Sequence, residues 1–218
     1  MSQLIFISDT HTKHSSITND LNVIYDQDPE SILIHSGDVS YRGTLGEIKR
    51  FLTWFKDLPF KTKILIAGNH DFIFEDNPSL IKQMLFDEFP EIIYLEDCGF
   101  EVNGLKFWGS PVTPRFYDWA FNRDENIQNH WDLIPEDVNV LITHGPPYMI
   151  LDRTKSGLHV GCKLLSKRIS ELNDLKVHAF GHIHEANGTH WDKDVVYVNS
   201  SILNLEYEVK NSPIIIKL

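Results

Sequence analysis

Five times along this chain a short polar motif interrupts an apolar pattern: Asp9-Thr10-His11, Gly37-Asp38, Gly68-Asn69-His70-Asp71, Thr143-His144-Gly145 and Gly181-His182-Ile183-His184. Most of these motifs directly follow a β-rich run, and such runs occur at residues 4–7, 32–35, 64–67, 138–143, 177–180, 195–198 and 214–217. Helical spacing fills several gaps between them. Residues 16–28 and 45–57 repeat apolar side chains at three- and four-residue steps, as Ile48, Phe51, Leu52 and Phe55 show. Asn77 before Pro78 predicts an N-cap and a helix running to about residue 89, and residues 161–172 supply the last helical candidate. Asn103-Gly104 predicts a type I′ turn between strands at 100–102 and 105–108. Uninterrupted apolar strands such as Ile64-Leu65-Ile66-Ala67 suit sheets covered on both faces. The pattern predicts an α/β sandwich with two central sheets and helices outside, folded as one domain over residues 1–218.

Parallel strands in such sheets place the residues after their carboxyl ends around a crevice, which is where ligand sites form. The five motifs bring two carboxylates, one amide oxygen and several imidazoles there, an inventory suited to two neighbouring divalent metals. A spacing of two in Asp9-x-His11 and in His182-x-His184 turns both side chains of each pair the same way. Two divalent ions over two carboxylates and neutral imidazoles leave a net positive pocket, which selects a small anion, and phosphate fits. The mixed oxygen and nitrogen donors suit Mn, Fe or Zn better than Ca or Mg.

The rest of the composition narrows the partners. A formal charge of −11 disfavours a chain built to grip long nucleic acid, since such binders carry a basic footprint. No apolar run reaches the roughly 18–20 residues of a membrane span. The first strand starts at residue 4 with Asp9 just beyond, so a cleaved leader would remove part of the site, and a cytoplasmic location is expected. Cys98 and Cys162 show no C-x-x-C spacing and are expected to be reduced thiols.

The ordered set D-x-H, G-D, G-N-H-D, H-G-P-P and G-H-I-H resembles the calcineurin-like metallophosphoesterase superfamily. Gly109-Ser110-Pro111, Trp119-Ala120-Phe121-Asn122, Val160-Gly161-Cys162 and Gly181-His182-Ile183-His184-Glu185 narrow the resemblance further. They are similar to the branch of metallophosphoesterase-domain-containing proteins related to class III cyclic-nucleotide phosphodiesterases. The resemblance implies a four-layer α-β-β-α sandwich with two mixed central sheets. It implies a first metal on Asp9, His11, Asp38 and His184, and a second on Asp38, Asn69, His144 and His182, with Asp38 bridging. His70 would touch a phosphoryl oxygen or protonate the leaving alkoxide, and Asp71 would orient it. A metal-bridging hydroxide would attack phosphorus in line.

Two positions depart from related patterns. Protein phosphatases of the superfamily carry a second aspartate where this chain has Tyr41, although Arg42 remains and is expected to touch phosphate. His159 stands where the closer branch tends to carry arginine, and is a candidate substrate contact. Phe116, Tyr117, Trp119 and Phe121 either form a wall for a flat substrate group, through Phe116 and Trp119, or pin their long loop to the core. Asn199-Ser200-Ser201 is expected to be a structural turn. His35 is expected to be a packed imidazole, and His14, His130, His178 and His190 to lie at or near the surface.

The expected function is hydrolysis of a small phosphodiester by an enzyme of the EC 3.1 class, with a cyclic nucleotide as leading substrate. The alternatives are a phosphomonoesterase acting on a protein or metabolite, and a non-catalytic interaction module on the same fold.

Overall fold

The computed structural model describes residues 2–218. The chain starts with β1 (Gln3–Ile7), α1 (Thr18–Gln27), β2 (Ile32–Ser36), α2 (Leu45–Asp57) and β3 (Thr62–Ile66). Two helices, α3 (Phe72–Asp76) and α4 (Pro78–Glu88), then lead to β4 (Ile92–Tyr94). The second half holds β5 (Cys98–Val102), β6 (Leu105–Ser110), β7 (Thr113–Pro114), β8 (Asn122–Arg123), α5 (Ile127–Trp131) and β9 (Val140–Thr143). It finishes with α6 (Lys163–Ile169), β10 (Val177–Phe180), β11 (Gly188–Asp192), β12 (Val195–Asn199) and β13 (Ile214–Lys217).

Two mixed sheets form, in the orders β13-β1-β2-β3-β4 and β11-β12-β10-β9-β6-β5. Strand alternation explains why they stack. Leu4, Phe6, Ile32, Ile34, Ile64 and Ile66 face Val140, Ile142, Val177, Ala179, Val196 and Val198 in one apolar layer between the sheets. The opposite faces of β1, β2 and β3 turn Ile5, Ile7, Leu33 and Leu65 towards Ile48, Phe51, Leu52 and Phe55 of α2. Leu141, Phe180 and Tyr197 pack outward against Trp131 of α5 and Leu165 and Ile169 of α6. Each such fully buried side chain contributes about 1.5–3 kcal/mol by leaving water. The result is the four-layer α-β-β-α sandwich expected from the sequence.

Local signals explain the element boundaries. Thr44 and Glu47 close a capping box on α2, and Asn77 accepts the Leu80 N–H at 3.3 Å ahead of Pro78. Asn103 and Gly104 both have positive φ, 54° and 73°, as a type I′ turn demands. The helix expected over 161–172 is shorter, because Cys162 Sγ accepts the Leu165 N–H and caps it at Lys163. Strand β9 starts at Val140 rather than 138, since the Val138 N–H closes a turn onto the Pro135 carbonyl. Two further expectations are corrected. His178 is fully buried and bonds Thr143 Oγ1 at 2.8 Å, and His14 is buried against Phe51 and Trp54.

Candidate metal centre

All five motifs fall at or just beyond the carboxyl ends of strands β1, β2, β3, β9 and β10. Each of these five pairs in parallel with at least one neighbour. The turns they make are unusual. Asp9, His11, Asp38 and His182 all lie in the left-handed region, at φ 50°, 38°, 59° and 69°. Non-glycine residues enter it at a cost of about 1–3 kcal/mol each, and do so where surrounding bonds impose it. Here the Asp9 N–H donates to the Gly37 carbonyl at 2.9 Å and the His11 N–H to the Asp38 carbonyl at 3.1 Å. The His182 N–H donates to both Asp9 carboxylate oxygens at 3.1 Å, and the His70 N–H to Asp38 Oδ1 at 2.8 Å. Two glycines let these loops close. A Cβ on Gly181 would run into the Asp9 carboxylate, and one on Gly68 would meet Asp38 and lie 2.7 Å from His144 Cε1.

The seven side chains expected to hold metal converge. His184 Nε2 stands 3.4 Å from Asp9 Oδ1 and 3.3 Å from His11 Nε2. His11 Nε2 is 3.6 Å from Asp38 Oδ2, and His144 Nε2 is 3.3 Å from the same oxygen and 2.8 Å from Asn69 Oδ1. Donor atoms of Asp9, His11 and His184 lie within 4.8 Å of one another, as do those of Asp38, His144 and His182. A third such group joins His11 and Asp38 to His70. Asp38 therefore reaches both halves of the centre.

The donor chemistry fits divalent ions. His11 Nδ1 donates to the Ser40 carbonyl at 2.8 Å, His144 Nδ1 to the Ser36 carbonyl at 3.0 Å and His184 Nδ1 to the Asn204 carbonyl at 3.0 Å. Those bonds fix the tautomer and turn each Nε2 lone pair inward, the usual support of a ligating histidine. Facing it are two buried carboxylates and an amide oxygen, so the pocket holds acceptors that require positive charge. Burial pushes the Asp9 and Asp38 carboxyls up, but His184 beside Asp9 and His144 beside Asp38 outweigh it and hold both well down. Burial pushes His144 and His184 down, yet Asp38 and Asp9 respectively overcome it and raise each imidazole to about 9. His11 and His182, dominated by burial, fall to about 4.

Asp71 is placed differently from expectation. Its buried carboxylate accepts the Val39, Ser40 and Gly68 N–H groups and the Ser40 hydroxyl, and it tethers the Asp38 turn to the Asn69 turn. Burial, and then the Asp38 charge, push its carboxyl up to about 6. His70 is oriented instead by the Tyr41 carbonyl, which accepts from Nδ1 at 2.9 Å, and by Trp119, stacked on its ring at 4.2 Å.

Arg42, expected to touch phosphate, is exposed and lines a cavity of about 520 Å³ with Tyr41, His70, Phe72, Trp119 and Tyr207. Phe116 is exposed on the far side, in a cleft of about 590 Å³ beside His182 that Leu158 and Val160 also line. His159 turns its Nδ1 onto Asp152 Oδ1 at 2.6 Å, so its ring is engaged by a carboxylate next to that cleft. Of the other loop aromatics Phe121 is buried, which pins the loop, while Tyr117 is exposed.

Several site-building residues escape the motif reading. Ser8 and Ser201 hydroxyls donate to Asp9 Oδ2 at 2.5 and 2.9 Å. Asn199-Ser200-Ser201 is thus more than a turn, and its signal is the same strand-then-polar pattern that marks the other motifs. Asn204 and Tyr207 carry no such signal. They arrive from the segment after β12, where Tyr207 sets its ring 4.9 Å from His11 and 5.5 Å from His184.

The sequence profile of the calcineurin-like phosphoesterases matches residues 2–186 of this chain. The chain belongs to that family. Metallophosphoesterase domain-containing protein 1 of Homo sapiens is 36% identical over 239 aligned residues, covering 99% of this chain and 71% of that protein. "Probable glycerophosphodiester phosphodiesterase GpdQ" of Arcobacter nitrofigilis is 25% identical over 222 residues, covering 91% and 77%. The solved structure of phosphopantetheinyl hydrolase from Mycobacterium tuberculosis matches with a TM-score of 0.61 at 17% identity, over 94% of this chain and 91% of that one, a likeness of fold. Family members typically bind divalent metals, and the clustered histidines and aspartates of this phosphoesterase fold suit that role. Among the described residues no helix is long and apolar enough to cross a membrane.

Proposed function

We propose that this phosphoesterase hydrolyses a small phosphodiester, with a cyclic nucleotide as leading substrate, at a centre of two divalent ions of the Mn, Fe or Zn type. The observation that carries the reading is the sharing of Asp38 between two donor groups, with His70 bound to the same aspartate through its N–H. On this reading Asp9, His11, Asp38 and His184 hold one ion, and Asp38, Asn69, His144 and His182 the other. Such ions supply Lewis acidity towards phosphoryl oxygens and make water acidic enough to serve as nucleophile near neutral pH.

The chain's own residues do the rest. His70 keeps its Nδ1 hydrogen on the Tyr41 carbonyl and presents the opposite ring nitrogen to the cavity, where it protonates the departing alkoxide or binds a phosphoryl oxygen. Trp119 stops the ring from turning, and Asp71 holds the two turns that carry Asp38 and Asn69. A diester needs its leaving oxygen stabilised, and His70 answers that need. The likeness to a glycerophosphodiester phosphodiesterase favours a diester. The whole is read as one domain acting in the cytoplasm on a small molecule.

A monoester is the second reading, favoured by Arg42, which is exposed and shares a cavity with His70. Turnover of a bis-aryl phosphate against its mono-aryl counterpart, with Mn²⁺ supplied, separates the two. The diester reading predicts the higher kcat/KM for the bis-aryl compound. A strong monoester preference removes it.

A further inference from the structure

Two cavities flank the centre, and their walls differ in kind. The cleft beside His182 is walled by Leu158, Val160, Ile183 and two prolines, with Phe116 as its one aromatic ring and Arg115 already paired to Asp124 at 2.6 Å. The cavity beside His70 is walled by four aromatic residues, Tyr41, Phe72, Trp119 and Tyr207, with Arg42 among them. Their rings are mutually braced: Tyr41 meets Tyr207 edge to face at 5.3 Å, and Trp119 packs on Phe72 at 5.8 Å and on His70 at 4.2 Å. Tyr207 is held from behind as well, because Lys13 Nζ donates to its carbonyl at 2.5 Å and its N–H donates to the Asn204 carbonyl at 2.9 Å. It also sits at φ 58°, a left-handed conformation that its neighbours impose.

Aromatic walls reward a flat π-system through stacked and edge contacts that a saturated ring of equal size cannot make. At about 520 Å³ the cavity admits a ring system without rearrangement. We propose that Tyr207, together with Tyr41 and Trp119, forms a subsite that selects an aromatic or heteroaromatic group on the substrate and holds it on the His70 side of the centre. Tyr207 is then a specificity-determining residue, and it lies beyond the stretch matched by the family profile. The inference rests on the phosphodiesterase reading, which it deepens by naming the substrate class and the side on which its flat group lies.

The test uses two non-hydrolysable probes, phenylphosphonate and cyclohexylphosphonate, titrated calorimetrically into the Mn²⁺-supplied protein. The wild type is expected to bind the phenyl compound about tenfold more tightly, in keeping with ring stacking. Tyr207→Leu keeps bulk but removes the ring, and should erase most of that preference, while Tyr207→Phe should retain it. Leu158→Ala, in the opposite cleft, should leave it intact. Equal binding of both probes by the wild type overturns the proposal, as does a preference that survives Tyr207→Leu or disappears with Leu158→Ala. Turnover of a bis-aryl phosphate by the same preparation is scored separately. Its absence sinks the phosphodiesterase reading, whereas turnover without a phenyl preference sinks only the subsite.

Discussion

His11 and His184, 173 positions apart in the chain, present their ε nitrogens to one another at 3.3 Å. Each has committed its δ hydrogen to a backbone carbonyl, so the two facing ε nitrogens can stand this close only with a proton or a cation between them. His184, drawn up to about 9 chiefly against burial by Asp9, carries a proton at neutral pH, while His11, pushed down to about 4 by burial, does not. The metal-free pocket thus meets its two carboxylates with protons on His184 and His144.

Metal binding must therefore expel protons. At pH 7 about two should leave per chain, read by calorimetry in buffers of differing ionisation heat. The sign follows from the raised values: affinity rises with pH until both imidazoles are neutral, near 9, and falls as the solution is acidified. Metal uptake that releases no protons would show that those imidazoles are not displaced from their protonated state.

Gly68→Ala places a methyl against Asp38 and 2.7 Å from His144 Cε1, with no flexible neighbour to yield. Metal affinity should drop about 10–100-fold, the usual cost of disturbing residues that orient ligands, while the far-ultraviolet circular dichroism stays native. Unchanged Mn²⁺ binding would contradict the close approach of these loops.

Asp71→Asn separates two roles for one carboxylate. An amide cannot accept all of the bonds that the Val39, Ser40 and Gly68 N–H groups now make, so at least one buried donor is left bare at a cost of about 1–3 kcal/mol. Tm should fall by several degrees, and the pH profile of turnover should keep its shape, because His70 takes its orientation from Tyr41 and Trp119. A shifted profile at unchanged Tm would reinstate a direct link between Asp71 and His70.

Buried neutral histidines give the fold an acid limit. Burial pushes His35 and His178 each to about 3, below the 6.5 of an exposed imidazole. Unfolding lets them take up protons, so their contribution is whole above pH 6.5 and is lost as pH falls from there towards 3. The loss is about 2 kcal/mol each by pH 5. Denaturant titration from pH 7 to 5 checks it, and His178→Gln should flatten the decline.

Much of this architecture is legible in the chain itself. The strand at 214–217, the helix at 45–57 and the Asn103-Gly104 turn were readable because local patterning and tertiary packing agree there. Strands β4 and β11 were not. The first has three residues, and the second exposes the side chains of Thr189, His190, Trp191 and Asp192, so neither shows apolar alternation. The donor residues announced themselves by type and order. Their supports did not: nothing about Tyr207 or Asn204 reads as functional until the segment after β12 folds back over His11 and His184. Asp71 is adjacent to His70 in sequence, yet its side chain turns into the backbone of residues 39, 40 and 68, a direction that the motif itself does not reveal.

If two ions share Asp38, Mn²⁺ titrated into the protein and followed by electron paramagnetic resonance should give two ions per chain with the spectrum of a magnetically coupled pair. That coupling should be lost in Asp38→Ala. A single isolated Mn²⁺ signal at saturation, unchanged by Asp38→Ala, would contradict the sharing.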